Sequence, residues 1–408
     1  MSNARRIVVV GCGPAAVGAA MAARNQDKSA EVLMLSDEHC EPYEKPPLSK
    51  AVLTGKAMPH DAPIAGPAGI GGKGITLKHN ARVKEIDRAA KAVTTEADER
   101  ISYDALILAT GSYNRVLPMF PPGPGIHYLR TIDESLALKA DLAHSKSVLV
   151  VGGGVVGLEI ASSAAELGRK TTVIEIAPRI LARVCDEETA AIIHERHRRA
   201  GVDIRLGTAA TALRRLSGGG FEVDTSTGVT IATDVIVAGI GAIPEDRLAQ
   251  AAGLTVQDGI IVDDHCRTSD PAIFAAGDCT RFPGPQGPIR LENWRHGQQQ
   301  GSVAGRNAAG GDMAYTMLPS YWSEQYDMYI QGMGWPIANP SRRIRRKLGD
   351  NATLLFELDG SAIAYVLGIN AQREMGPARR LIEQRVPVDP AELADPTKPL
   401  NAMLKAKV

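Results

Sequence analysis

The stretch Cys40-Glu-Pro-Tyr-Glu-Lys-Pro-Pro-Leu-Ser-Lys50 holds two side chains with different uses in electron transfer. Cys40 offers a thiolate or a sulfenic acid, a redox group in its own right. Lys50 offers only a fixed positive charge, which stabilises negative charge building up on some other reducible group. The other four cysteines, Cys12, Cys185, Cys266 and Cys279, are widely spaced, with no CxxC or CxxxxC pair. That spacing argues against a disulfide framework, a zinc site and a paired redox disulfide alike. Taken singly, each cysteine reads as a small buried residue or an inert thiol. His194 and His197 flank Glu195 three residues apart and resemble half of a zinc site. With no third ligand in reach, they read as an exposed helix face, and no metal site is expected.

Glycines supply the second chemistry. Gly11-Cys-Gly13-Pro-Ala-Ala16 follows the apolar run Ile7–Val10 and precedes an alanine-rich helical stretch reaching about Asn25. A second apolar run, Glu31–Leu35, ends at Ser36, Asp37 and Glu38. This is the strand–helix–strand order of a dinucleotide fingerprint, with Ala16 in the third glycine position. Gly11 makes the tight turn, and Gly13 lets the backbone approach a pyrophosphate at the helix N-terminus. The acid after the second strand binds ribose hydroxyls. The pattern returns at Gly152-Gly-Gly154-Val-Val156-Gly157, between the strand Val148–Val151 and the helical stretch Leu158–Leu167. The following strand, Thr171–Ile174, ends at Glu175. Two fingerprints imply two dinucleotides. A carboxylate at Glu175 accepts from a 2′-hydroxyl and repels a 2′-phosphate, which favours NADH over NADPH; Arg179 and Arg183 soften that repulsion.

Three more segments place buried strands before small-residue turns: Tyr103 to Gly111, Asp234 to Pro244, and Asp270 to Asp278. In the last, Gly277 allows close backbone approach and the Asp278 carboxylate can accept from a sugar-alcohol hydroxyl. The chain has 408 residues, enough for two or three domains, and its 44% apolar content supports ordinary cores. Basic and acidic residues balance at 46 each, so neither nucleic acid nor a membrane surface is expected as a partner. No stretch approaches 18 apolar residues, and a soluble, cytoplasmic protein is expected.

In this order the residues resemble the two-dinucleotide flavoprotein disulfide reductase superfamily over essentially the whole chain. Pro42 to Lys50 stands where glutathione reductase-like members carry redox cysteines. That replacement, with Ala109-Thr110-Gly111, Gly241 to Pro244 and Gly277-Asp278, is similar to the FAD-dependent NADH:ferredoxin reductase family. This is the biphenyl dioxygenase reductase and putidaredoxin reductase-like family, which serves aromatic-ring dioxygenases and some heme monooxygenases. The resemblance implies an α/β fold: two Rossmann-like dinucleotide-binding domains, glutathione reductase-like, plus a C-terminal α+β interface domain. It implies an FAD-binding domain at 1–112 and 241–316, an NADH-binding domain at 113–240 and the interface domain at 317–408. The insertion is plausible because two complete βαβ units cannot share one sheet register, and the second follows the Pro/Gly-rich linker Pro118 to Gly125.

By the same resemblance, Gly11, Gly13, Ala16, Asp37, Lys45, Pro46, Lys50, Val83, Thr110, Gly111, Arg130, Gly277 and Asp278 contact FAD. Gly152, Gly154, Val156, Gly157, Glu159, Glu175, Arg183, Gly239 and Gly241 bind NADH. Glu292, counted with the NADH contacts, and Trp294 and Trp322, counted with FAD, match positions lining the flavin pocket. Lys50 and Glu159 match a family ion pair beside the isoalloxazine ring and are the catalytic candidates. The implied reaction passes electrons from NADH through FAD to a small [2Fe–2S] ferredoxin, plant-type or Rieske-type. Monomer and homodimer both remain open. Asn370 to Arg380 looks like the family's C-terminal helix. Three features depart from the pattern: Arg295-His296-Gly297 after the pocket tryptophan, the glycine-rich segment Gly66 to Gly74, and the basic run Arg342 to Lys347. That run reads either as a solvated edge strand or as a surface for an acidic ferredoxin. Two other functions stay open. One is an NADH oxidase, peroxidase or monodehydroascorbate reductase with a small-molecule acceptor, the oxidase and peroxidase versions using Cys40. The other is a non-enzymatic NADH-responsive flavoprotein switch.

Overall fold

The computed structural model describes residues 4–61 and 63–404. The chain divides into two compact units. One comprises the chain up to Glu44 with His60–Tyr113 and Ile243–Tyr321; the other comprises Lys45–Pro59, Asn114–Ala242 and the chain from Trp322.

In the first unit the apolar runs become a five-stranded parallel sheet, ordered Ile273–Ala275, Ala105–Leu108, Arg6–Val10, Glu31–Leu35, Thr76–Lys78. Ile7, Val8 and Val9 are all fully buried. Continuous apolar strands, rather than alternating ones, are what a parallel sheet covered on both faces requires. The helix Pro14–Gln26 starts on a proline, which has no N–H to leave unpaired at that position. It lies against the helix Trp294–Ala308 at very short range. A Cβ on Gly301 would fall 2.1 Å from the Ala15 carbonyl oxygen, and one on Gly305 would fall 1.9 Å from that of Ala19. Only glycine permits this approach, so the Gly-x-x-x-Gly spacing of the second helix fixes how the first one sits. Two small three-stranded sheets, the antiparallel Val83–Asp87 with Ala92–Thr95 and Arg100–Ser102, and Ile260–Ile261 with Thr280–Gly284 and Gly287–Ile289, belong to the same unit.

The second unit repeats the plan with the parallel order Asp203–Arg205, Lys170–Ile174, Ser147–Val151, Val235–Ala238, Ile126–His127. Its fingerprint helix runs Val155–Glu166, three residues earlier than the apolar stretch alone indicates, because Gly154 serves as the N-cap. The same unit carries a C-terminal sheet ordered Ser320–Gln325, Met328–Gly334, Ala362–Ile369, Thr353–Asp359, Arg342–Lys347; its first strand enters the unit at Trp322. Leu158 and Ile193 share one buried cluster with Ile330, Tyr365, Leu367 and Ile369. The C-terminal sheet thus packs on the helices of the second parallel sheet.

The run Arg342–Lys347 is an edge strand, but its charges turn inward more than a solvated edge requires. Arg346 is 1% exposed and donates to the carbonyls of Leu393, Asp395, Pro396 and Lys398. Arg345 pairs with Asp186 at 3.0 Å, and Arg343 with Glu357 at 3.0 Å. Arg345 and Arg346 are thus engaged inside the unit, whereas Arg342, Arg343 and Lys347 stay exposed along the strand. The glycine-rich segment resolves into turns and a short 3-10 helix, Gly71–Lys73. Among the described residues, no helix is long and apolar enough to cross a membrane.

Candidate active site

In the first unit, Gly11 sits at φ +125°, and a Cβ there would meet the Ala109 carbonyl oxygen at 2.2 Å. Gly13 is the N-cap of the helix Pro14–Gln26, with no side chain capping the first turn and nothing within 4 Å of a Cβ built on it. Ala16 is fully buried on the inner side of that helix. An uncapped helix start facing open space is a seat for an anionic group. Asp37, beyond the second strand, is exposed and pairs with Arg82 at 3.4 Å. Val83 begins the small antiparallel sheet and lies at its margin. The Thr110 hydroxyl donates to the Glu245 carbonyl at 2.5 Å, and the Glu245 amide donates back to the Gly111 carbonyl at 2.9 Å. Asp278 accepts from the Ser112 hydroxyl at 3.0 Å. Gly277, at φ +86°, donates its amide to Gln300 Oε1 at 2.7 Å. Gln300 and His296 are fully buried, yet Gln300 Nε2 and His296 Nε2 have no protein partner. Two orphaned polar nitrogens beside the Gly277–Asp278 turn, with the open helix start, fit a polar group such as FAD lying against this unit. Trp294 opens the helix that carries His296, and Glu292, one turn earlier and exposed, pairs with Arg290.

In the second unit, Gly152 at φ +110° and Gly154 as an uncapped N-cap repeat the arrangement. A Cβ on Gly157 would lie 2.2 Å from the Gly152 carbonyl oxygen, so the third position tolerates no side chain. Val156 is exposed. Gly239 lies against Gly157, and Gly241 sits at φ +104° with Arg183 beside it. Glu175 accepts from the Gly153 amide at 2.6 Å and the Ala177 amide at 2.7 Å, which fixes its carboxylate at the strand end. Arg179 donates to the carbonyls of Cys185 at 2.6 Å and Ala182 at 2.9 Å. Its guanidinium is engaged with backbone, and only the exposed Arg183 is left to temper the acid. This geometry fits NADH.

Lys50 meets Glu159 at 2.8 Å, and the pair is well shielded, with Glu159 4% exposed. Lys50 lies just after the 3-10 turn Pro46–Ser49 and also donates to the Pro46 carbonyl at 2.8 Å. Glu159 accepts from the Ser49 hydroxyl at 2.6 Å and the Ser323 hydroxyl at 2.6 Å. Two hydroxyl donors and one cation hold a single carboxylate. Lys45 reaches the Arg130 carbonyl at 3.4 Å, and Trp322 lies beside Ser323 on the same strand, partly buried.

None of the five cysteines forms a disulfide, and burial pushes the Cys185 thiol up to about 12 and raises those of Cys266 and Cys279. A second reading is corrected: His197 is not on an exposed face but fully buried, bonded to Gln325 Oε1 at 2.9 Å. Its helix, Glu187–Arg199, turns that position under the C-terminal sheet. Sequence reasoning also missed Ser49, Ser112, Gln300, Ser323 and Gln325. For Ser323 and Gln325 a signal existed, since they alternate with Trp322 and Glu324 and so share one strand face.

Residues 5–301 match the family described as pyridine nucleotide-disulphide oxidoreductase, and residues 320–404 match the reductase C-terminal family. The chain is 38% identical to the ferredoxin–NAD(+) reductase component of the anthranilate 1,2-dioxygenase system of Burkholderia cepacia, covering 98% of this chain and 100% of that one. It is 34% identical to rhodocoxin reductase of Rhodococcus erythropolis, covering 95% and 92% respectively. Its fold superposes on the reductase in the covalent putidaredoxin reductase–putidaredoxin complex with a TM-score of 0.93, at 31% identity over 99% of each chain. With both glycine turns, the acid that follows each and the reductase C-terminal sheet in place, the chain belongs to the pyridine nucleotide-disulphide oxidoreductase family.

Proposed function

We propose that this chain is an NADH-dependent ferredoxin reductase that holds FAD and passes electrons to a small [2Fe–2S] protein serving an oxygenase. The observation that carries the reading is the shielded Lys50–Glu159 pair in a chain without a redox disulfide. A member of this family lacking a dithiol relay has a direct exit from flavin to an external acceptor, and relatives matched over nearly their whole length include ferredoxin–NAD(+) reductase components of dioxygenase systems.

On this reading Gly11, Gly13 and Ala16 form the turn that seats the FAD pyrophosphate, with Asp37 at the adenosine ribose. Thr110, Gly111, Gly277 and Asp278 border the same cofactor; Val83, Lys45, Pro46, Arg130, Trp294 and Trp322 are counted with its contacts by the family resemblance. Gly152, Gly154, Val156 and Gly157 seat NADH, with Glu175 on its ribose and Arg183 tempering that acid; Gly239 and Gly241 lie toward the nicotinamide, and Glu292 is counted with the NADH contacts. Bound FAD supplies the chemistry that accepts two electrons together and releases them singly. The chain supplies orientation and charge. Lys50 presents an ammonium whose three donors all have partners, so its position is set before either cofactor arrives. Glu159 offsets part of that charge and keeps it in place.

The test is stopped-flow reduction of the FAD-loaded chain by NADH, followed by mixing with plant-type and Rieske-type ferredoxins. Rapid flavin reoxidation by at least one is expected. Failure with all of them removes the proposal, and rapid reoxidation by oxygen alone points to the oxidase reading instead.

A further inference from the structure

Glu159 is the end of a longer chain of side-chain hydrogen bonds within the second unit. The Ser323 hydroxyl reaches Glu159 Oε1 at 2.6 Å, and Gln325 Nε2 reaches Ser323 Oγ at 3.1 Å. Gln325 Oε1 faces His197 Nε2 at 2.9 Å, and His197 Nδ1 faces the Tyr326 hydroxyl at 3.1 Å. Glu159, Ser323, Gln325 and His197 are all buried, at 4%, 2%, 1% and 0% exposure.

The direction of every bond follows from the acid. A carboxylate only accepts, so Ser323 donates to it, and the serine oxygen is left to accept from the Gln325 amide nitrogen. That turns the Gln325 oxygen toward His197, whose Nε2 therefore carries the proton. Nδ1 is then the acceptor, and Tyr326 donates to it. Each donor points toward Glu159, and bonds aligned in this way polarise one another. Burial pushes the His197 imidazole down to about 4, so it stays neutral near pH 7 and keeps one proton to give. The charged and titratable groups facing the chain include Lys50 at Glu159 and, at the far end, Arg196, His194 and Glu166. Arg196 is occupied by Asp327 at 2.6 Å and stacks over the Tyr326 ring at 4.2 Å. An apolar set of the same volume would fill this space without desolvating four polar groups. What the polar set adds is a fixed direction.

We propose that Ser323, Gln325 and His197 are positioning residues that lock the Glu159 carboxylate toward Lys50 and so set how much of the Lys50 charge reaches the flavin. This rests on the placement of Lys50 and Glu159 beside the flavin given above. The residues touch neither cofactor on this account; they act through Glu159.

The test uses the FAD-loaded chain and two readouts. Nitrogen-15 NMR of labelled histidine, with His197 assigned from His197→Gln, reports the tautomer at neutral pH. The Nε2–H form is expected, and an Nδ1–H form overturns the proposal. Redox titration then reports the flavin midpoint potential. Ser323→Ala and His197→Phe should move it in the direction that Glu159→Gln moves it. His197→Gln, which keeps an N–H near the Nε2 position, should stay close to wild type. In a Glu159→Gln background the Ser323→Ala shift should fall to less than half, the mark of two groups acting as one. Additive shifts, or no shift in Ser323→Ala while Lys50→Met and Glu159→Gln do shift, overturn the proposal and leave the Lys50 reading standing. No shift in Lys50→Met or Glu159→Gln removes both. Ser323→Ala deletes a single hydroxyl, so the test does not depend on His197→Phe folding.

Discussion

Lys50 donates to the Pro46 carbonyl, to Ser49 and to Glu159, and no position of its ammonium is left to chance. One elementary charge about 4 Å from a reducing centre, at an effective dielectric near 20, interacts by roughly 4 kcal/mol, and the opposing carboxylate offsets part of it. Lys50→Met should therefore lower the flavin potential by on the order of tens of millivolts, taking ~30 mV per 1.4 kcal/mol for a two-electron couple. It should also lower thermal stability, because Glu159 keeps its burial and loses its cation. Cys40→Ser should leave the potential and the turnover with ferredoxin unchanged. Anaerobic dye-coupled titration and steady-state assays check both; a Cys40→Ser enzyme with lost turnover would revive the thiol mechanism. At this scale the Lys50–Glu159 pair was expected only through the family resemblance. Strand alternation marks Ser323 and Gln325 as one face but not whom they meet, since 164 residues separate Ser323 from Glu159 and 128 separate Gln325 from His197.

The two fingerprint turns look alike in sequence and differ in what their third position allows. The first carries alanine there. In the second, Gly157 faces the Gly152 carbonyl with no room for a methyl group. Gly157→Ala must push the helix Val155–Glu166 off its strand, and that helix also carries Glu159. NADH binding should weaken at least tenfold while FAD content is retained; stopped-flow saturation curves and the flavin absorbance ratio check this, and unchanged saturation contradicts it. The parallel sheets were readable because unbroken apolar runs demand cover on both faces. The C-terminal sheet was less so. Its first hairpin turns on Tyr326 at φ +56°, a conformation that side-chain identity does not announce for tyrosine. Nor does a run of five basic residues in six disclose that its fourth arginine, Arg346, ends in a cage of carbonyls.

For the molecule as a whole, His197 and His296 set a common acid limit. Burial holds both imidazoles near about 4, well below the ordinary 6.5 of an unfolded chain. As pH falls below 6.5 the unfolded state takes up these protons first, so folding stability is complete above that value and is lost on the way down to 4. Each group costs up to roughly 3 kcal/mol at the bottom of that window. Melting temperatures measured from pH 7.5 to 4.5 should drop steeply, and His197→Gln with His296→Gln should flatten the drop; a flat wild-type profile would count against buried neutral histidines. The α/β plan could be read from the order of glycine turns, buried runs and acids, and the family followed from the resemblance those motifs carry. The side-chain networks could not, since they form only when distant segments meet.

Arg346 carries a further consequence, in the order of synthesis. Its four carbonyl acceptors lie 47 to 52 residues downstream. At about 5–20 residues per second the guanidinium leaves the peptidyl-transferase centre several seconds before the last of them exists. Until then its strand cannot be buried without stranding a charge. Arg346 can therefore be buried with its charge satisfied only after the chain has been made as far as Lys398, which ties the closing of its strand to a segment about fifty residues further on.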